Sequence, residues 1–173
     1  MPGGAARAND AGMKTAESAD DVAALQKLLE SSTGLATPAL ADSVAWEPRR
    51  MTAAELIDFW SRIRLVAMAT VGPAGQPHIA PVHAELRGSE LSVLVYEDAV
   101  RRRDLAANPR VAFTAWDSDG AVVILYGRAA EKPGSVREAR PSQAGRPRKV
   151  VEMVVRLTRV YAMSARKVCS AAS

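Results

Sequence analysis

A series of short, strand-like segments between Leu65 and Met163 limits most strongly what this chain can fold into. Each segment is rich in apolar and β-branched residues, and turn residues, a loop or one helical insert separate it from the next. The last segment alternates apolar and polar side chains with a period of two, as in a strand with one buried face. The six segments are Leu65–Val71, Gln76–Glu85, Glu90–Tyr96, Arg110–Asp117, Ala121–Glu131 and Val150–Met163.

Strands that follow one another through short connections predict a mostly antiparallel sheet, because such neighbours pair as hairpins. Closure of the sheet into a barrel removes its exposed edges. The expected fold class is therefore mainly β, a small six-stranded antiparallel barrel with flanking helices.

Two helices are expected before the first strand. Asp20 or Asp21 would cap the first helix, and Gly34 would end it. The second would open at Thr52, because Glu55 follows three residues later with the spacing of a capping box. The connection between the two helices is predicted to be extended.

Composition and charge narrow the function classes. The chain has 173 residues, which suits one domain, and it contains no apolar run long enough to cross a membrane. The N-terminus lacks the apolar centre of a signal peptide, so a cytoplasmic location is expected, and the single cysteine, Cys169, cannot form an internal disulfide.

The charge of the chain is unevenly distributed. Residues 1–47 carry seven acids and three bases, a net charge of −4, so residues 48–173 carry +8 and the whole chain +4. A basic body indicates an anionic ligand or partner.

The helical insert Asp98–Ala107 holds the most informative sequence. With Asp98 as its expected N-cap, the three arginines Arg101–Arg103 fall in or beside its first turn. Positive side chains are unfavourable at the positive end of a helix unless an anion binds there, and phosphate is the usual one. One or two of them could face a single phosphate. The alternative is a solvated basic face paired with Glu97 and Asp104.

The remaining chemistry-bearing residues give weaker signals. His78 and His83 are five positions apart on one predicted strand, which places them on opposite faces and argues against joint metal binding. The sequence contains no nucleophile elbow and no glycine-rich phosphate loop. The arginines in the loop Arg137–Lys149 need only be solvated, although they could contact an acidic coenzyme or a nucleic acid, the less favoured partner.

Several motifs occur together in one order. They are Leu65–Thr70, Gly75–Pro77, Pro81–Val82, Arg101–Val111, Gly127–Ala129 and Val160–Met163. Over residues 52–163 the chain thereby resembles the pyridoxamine-phosphate-oxidase-like family of FMN-binding split β-barrels, which also includes enzymes that use the deazaflavin coenzyme F-420. The stretch Arg101–Val111 is the most specific of these motifs.

The resemblance implies a homodimer with a cofactor in each groove between the subunits. It assigns main-chain contacts with the flavin to the second strand and to the end of the third strand, and the grip on the phosphate to Arg101, with Arg103 as its second. The strand residues so implied are Ala80, Pro81, Val82, His83, Val95 and Tyr96.

Three departures separate the chain from the vitamin-processing oxidases of that family. Ala80 stands where those enzymes carry an arginine, Ala99 stands where they carry a serine, and no substrate-binding segment follows Met163. Oxidation of pyridoxamine phosphate is therefore not expected. The favoured function is an FMN-dependent oxidoreductase that transfers hydride to or from an unknown small substrate. The alternatives are a deazaflavin-dependent reductase and a non-enzymatic protein that binds flavin, haem or a polyanion.

No general acid or base stands out, and His83 and Tyr96 are the only candidates near the expected groove. The predicted organisation is a disordered tail over residues 1–20, an N-terminal helical extension over 21–51, and a split-barrel cofactor-binding domain over 52–168.

Overall fold

The structure, a computed structural model, describes residues 17–43, 46–141 and 144–165. Residues 1–16 of the expected disordered tail lie outside these ranges, and so does Cys169. Within the described ranges, no helix is both long enough and apolar enough to cross a membrane.

The N-terminal helix α1 spans Ala19–Thr33 and begins earlier than expected. Ser18 is its N-cap, because the Ser18 hydroxyl accepts a hydrogen bond from the Asp21 backbone N–H while the Asp21 carboxylate accepts from the Ser18 backbone. Asp21 is thus the third residue of a capping box, and the predicted caps Asp20 and Asp21 are wrong. Gly34 ends the helix as predicted.

The connection after α1 is not extended throughout. It contains the short helix α2, Pro38–Ala41, and a 3₁₀ turn, Glu47–Arg49. Both begin at or just before a proline, whose fixed φ suits the first turn of a helix. The next helix, α3, spans Ala53–Arg62 and has the predicted capping box of Thr52 and Glu55.

The helical insert between the third and fourth predicted strands is shorter than expected. Helix α4 spans Val100–Ala107 and its N-cap is Ala99, so the predicted cap Asp98 is wrong. The Ala99 N–H donates to the Tyr96 carbonyl, which places Asp98 inside a tight turn before the helix.

All six predicted strand segments are present, but among the described residues the sheet has eight strands, because one segment is divided and one short strand is added. The predicted second strand is interrupted at His83, and β7 pairs with β8 alongside the predicted loop. The strands are β1 Val66–Val71, β2 Pro77–Val82, β3 Ala84–Arg87, β4 Glu90–Tyr96, β5 Arg110–Trp116, β6 Val122–Glu131, β7 Arg137–Ala139 and β8 Arg148–Met163.

The strand order shows how the sheet curls. Its hydrogen-bonded path runs β2-β1-β5-β6-β8-β4-β3, and every pair is antiparallel. The first and last strands of this path are the two halves of one bent segment, separated only by His83. The sheet therefore curls back on itself, which confirms the mainly β antiparallel split-barrel class.

One core fills the barrel and extends beneath the helices. Alternate residues of β8 are buried, and the apolar faces of α1 and α3 belong to the same cluster. Two hydrogen bonds fix the helices to the sheet: the Val160 N–H donates to the Ser32 hydroxyl of α1, and the indole N–H of Trp60 in α3 donates to the Ala84 carbonyl. The helical extension is thus part of the barrel's hydrophobic core.

Candidate functional site

A cavity of about 520 Å³ opens where α4 meets the sheet, a volume typical of small-molecule sites. The cavity wall combines apolar strand residues with a few convergent polar groups. The lining residues are Met68 and Thr70 of β1, His78, Ile79 and Ala80 of β2, Tyr96 of β4, Asp98 and Ala99 before α4, Val100 and Arg101 of α4, and Arg148 of β8.

Arg101 lies in the first turn of α4, lines this cavity and has hydrogen-bond donors without a partner among the described residues. Its Nε and Nη1 atoms are buried and have no hydrogen-bond partner among the described residues. Buried guanidinium N–H groups without an acceptor are costly, because each desolvated donor loses its hydrogen bonds to water. An anionic ligand would satisfy these donors.

The two neighbouring arginines have different environments. Arg102 is held by Glu131, with its Nε 3.0 Å and its Nη2 3.1 Å from the two carboxylate oxygens, and its Nη1 donates to the Glu97 carbonyl. The hydrogen bond to Glu131 raises the pKa of Arg102 despite some desolvation. Arg103 is exposed and does not line the cavity. Of the three arginines, only Arg101 therefore lines the cavity.

Arg148 is a second cavity arginine, and the sequence did not single it out. Its Cζ lies 3.2 Å from the centroid of the Tyr96 ring, so the guanidinium stacks on the aromatic face. Pairing of β4 with β8 brings the two residues together, because Tyr96 lies opposite Val150 in the register. Only the proximity of Arg148 to Tyr96 in the fold identifies it, since the sequence around it reads as a proline-rich loop.

A buried carboxylate supports the wall beside Arg101. Asp104 of α4 is 2% exposed, and its Oδ2 accepts hydrogen bonds of 2.7 Å from the Thr70 hydroxyl and from Nδ1 of His78. Thr70 and His78 lie directly opposite each other on β1 and β2. Asp104 therefore ties the helix that carries Arg101 to both strands of the cavity wall.

The environment of Asp104 keeps it ionised. Burial alone would raise its pKa, but hydrogen bonds from Thr70 and His78, together with the charges of His78 and Arg103, hold the pKa below the usual value of an aspartic acid. The sequence-based alternative paired the arginines of α4 with Glu97 and Asp104. Arg102 does pair with the Glu97 carboxylate, at 3.9 Å. The hydrogen bonds of Asp104 go to Thr70 and His78 instead.

The structure brings only some of the predicted cofactor residues to the cavity. Ala80, Tyr96 and Arg101 line it. The side chains of Val82 and Val95 are buried in the core, and those of Pro81, His83 and Arg103 are exposed and outside the lining. The main-chain flavin contacts expected of the strand residues stay a prediction. Within the described residues, no three His, Cys, Asp or Glu side chains are placed to hold a metal ion.

Fold and site together define a split β-barrel protein with a cavity that Arg101 and Arg148 line. A family model described as pyridoxamine 5'-phosphate oxidase matches residues 52–164. The chain belongs to this family, as the sequence motifs over residues 52–163 predicted. Among curated proteins, none matches the chain.

Solved structures share the fold at low sequence identity. The conserved hypothetical protein Rv2991 from Mycobacterium tuberculosis has a TM-score of 0.55 and 23% identity, over 71% of this chain and 91% of that chain. General Stress Protein 26 from Bacillus anthracis has a TM-score of 0.52 and 18% identity, over 65% of this chain and 95% of that chain. A putative pyridoxamine 5'-phosphate oxidase from Listeria innocua has a TM-score of 0.51 and 10% identity, over 63% and 95%. These likenesses concern the fold alone.

Proposed function

We propose that the protein is an FMN-dependent oxidoreductase that transfers hydride between bound FMN and a small substrate. The observation that carries this proposal is Arg101, whose buried Nε and Nη1 have no partner among the described residues and belong to a side chain that lines the cavity. A phosphate monoester supplies acceptor oxygens and negative charge for these donors. Membership of the family makes a flavin phosphate the favoured candidate.

The other cavity residues fit the remainder of such a cofactor. Met68, Ile79 and Ala80 offer an apolar wall from two adjacent strands, suited to one face of a planar ring system. Arg101 would hold the phosphate, and the strand residues would orient the ring and exclude water. Bound FMN supplies the hydride chemistry itself.

Two alanines argue against the oxidation of pyridoxamine phosphate. Ala80 lines the cavity with a methyl group where the vitamin-processing enzymes have an arginine, and Ala99 caps α4 without a side-chain hydrogen bond where they have a serine. The cavity therefore lacks the side chains that distinguish those oxidases. A different small oxidised or reduced substrate is proposed.

Titration of the purified protein with FMN, followed by flavin fluorescence, tests the proposal. Arg101→Gln removes the charge and two buried donors, so its affinity for FMN should fall about tenfold or more. Arg156→Gln is the matched control, because Arg156 carries the same charge on an 82% exposed side chain outside the cavity. Equal affinities of the wild type and Arg101→Gln would contradict the phosphate role.

The deazaflavin coenzyme F-420 is a second candidate, favoured by the additional cavity arginine. Arg148 and Arg101 line the same cavity, and together they suit a longer anionic tail. A protein that binds the deazaflavin and not FMN would establish this candidate, and Arg148→Gln should then weaken binding more than Arg156→Gln. Absence of binding to either coenzyme would favour a non-enzymatic binding protein.

A further inference from the structure

We infer that His78 is a further ligand-binding residue, whose Nε2 contacts the anionic group held by Arg101 and takes up a proton as the anion binds. The inference deepens the proposed function and relies on it for the identity of the ligand. A hydrogen bond to Asp104 fixes the imidazole of His78 in the wall of the cavity that Arg101 also lines.

Asp104 determines the orientation of the imidazole. Its Oδ2 lies 2.7 Å from Nδ1 of His78. Because a carboxylate oxygen can only accept a hydrogen bond, Nδ1 must carry the proton that it donates. Thr70 donates to the same oxygen from the opposite strand and holds the carboxylate in place. His78 thus has one nitrogen committed to a structural contact.

The other nitrogen, Nε2, has no hydrogen-bond partner among the residues that the structure describes. The side chain is 41% exposed and lines the same cavity as Arg101. Arg101 and Asp104 are three residues apart on α4, a spacing that places both on one side of the helix. A second proton can therefore be added only at Nε2, the nitrogen left free for a ligand.

The charges around the imidazole link that proton to anion binding. When no anion is present, the positive charges of Arg101 and Arg148 oppose a further positive charge on His78, whereas a bound phosphate offsets the arginine charges. The carboxylates of Asp104 and Asp98 favour the cationic ring. The charged or titratable groups that line this cavity beside His78 are Arg101 of α4, Asp98 before it, Tyr96 of β4 and Arg148 of β8. Asp104 contacts His78 directly, and the charge of Arg103 acts on Asp104.

Proton NMR of the imidazole C–H signals tests this directly, because the chain contains only two histidines. Spectra of a protein without a histidine tag would be recorded across pH 5–9, with and without saturating FMN. His78→Asn assigns the signals by removing one of them. The His78 signal should titrate at higher pH in the FMN complex, and an unchanged His78 titration on FMN binding would overturn the inference.

The affinity of His78→Asn provides a second readout. Asparagine keeps an amide donor close to the position of Nδ1, so the contact with Asp104 can survive while Nε2 is lost. The FMN dissociation constant of the variant, relative to wild type, should be about tenfold higher at pH 6 and approach the wild-type value by pH 8. Ionisation of free FMN affects both proteins equally and cancels in this ratio. A ratio independent of pH would contradict proton uptake at His78.

Inorganic phosphate separates this inference from the proposed function. If wild-type protein fails to bind FMN but phosphate still moves the His78 titration, the flavin proposal fails and the role of His78 stands. If FMN binds and the His78 titration does not respond, the flavin proposal stands and the role of His78 fails. If neither ligand binds or shifts the signal, both are wrong. Thermal unfolding followed by circular dichroism verifies that His78→Asn is folded.

Discussion

Asp104 connects the folding of the barrel to the chemistry of the cavity. One carboxylate oxygen accepts from Thr70 and His78, which lie 34 and 26 positions away along the chain. No local sequence pattern joins residues so far apart, so the sequence indicated Arg101 from its place in a helix turn but not the contacts of Asp104. For the same reason Arg148 was considered only as one of the arginines of the loop Arg137–Lys149, since β8 brings it to Tyr96.

Replacing Asp104 by asparagine should reduce stability in a pH-dependent way. The folded pKa of Asp104 is lowered, so its ionised form adds stability above the ordinary aspartate value, and this contribution is lost as the pH falls below about 4. Asp104→Asn should therefore lower the free energy of unfolding by about 2 kcal/mol or more at pH 7.

Urea unfolding of wild type and variant at pH 7 and near pH 3 measures this difference. The gap between the two proteins should narrow at the acidic pH. Asp58→Asn is a suitable control, because the Asp58 side chain is 71% exposed and pairs only at the surface with Arg62. An equal gap at both pH values would show that ionisation of Asp104 does not contribute.

Among the strands and helices, local sequence patterns predicted the bounds of those elements whose ends depend on their own residues. The alternation in β8 and the capping box of α3 gave those elements nearly their observed bounds. The break at His83 and the start of α4 depend on contacts outside the segment, namely closure of the sheet and the turn from Tyr96 to Ala99. Those boundaries could not be read from hydrophobic periodicity.

Burial of Leu25 joins helix α1 to the core of the barrel. Leu25 is 0% exposed and belongs to the core cluster shared by α3 and the sheet. Leu25→Ala should lower the free energy of unfolding by about 2–5 kcal/mol, because it leaves a cavity in a closely packed core. Chemical unfolding should remain a single transition for fluorescence and far-ultraviolet circular dichroism alike.

Leu28→Ala is the matched control, since Leu28 is only partly buried against the same cluster and should have a smaller effect. If Leu25→Ala left the main transition unchanged, or produced a separate early transition, α1 would be an independent extension.

At the scale of the whole molecule, curling of the sheet leaves one wall of the cavity uncovered. Ile79 lines the cavity and is 74% exposed, on a strand at the end of the sheet path. Val100, which is 45% exposed, lines the same cavity, and exposed apolar surface at a ligand site can mark a contact with another molecule. The family resemblance supplies an occupant for it, a second copy of this chain, in the homodimer that we propose with cofactor between subunits.

Ile79→Glu tests that arrangement, because a carboxylate at this position would be tolerated in an exposed monomer but would be buried in a dimer. Sedimentation velocity over a concentration series should show that the wild type is a dimer and that Ile79→Glu is shifted toward the monomer. The affinity of Ile79→Glu for FMN should fall as the dimer is lost. Leu35→Glu is the control, since Leu35 is 61% exposed, follows α1 and lies outside the cavity. If Ile79→Glu remained dimeric with unchanged FMN affinity, the cavity would be completed within one chain. Loss of affinity without loss of the dimer would place Ile79 against the ligand instead of the partner.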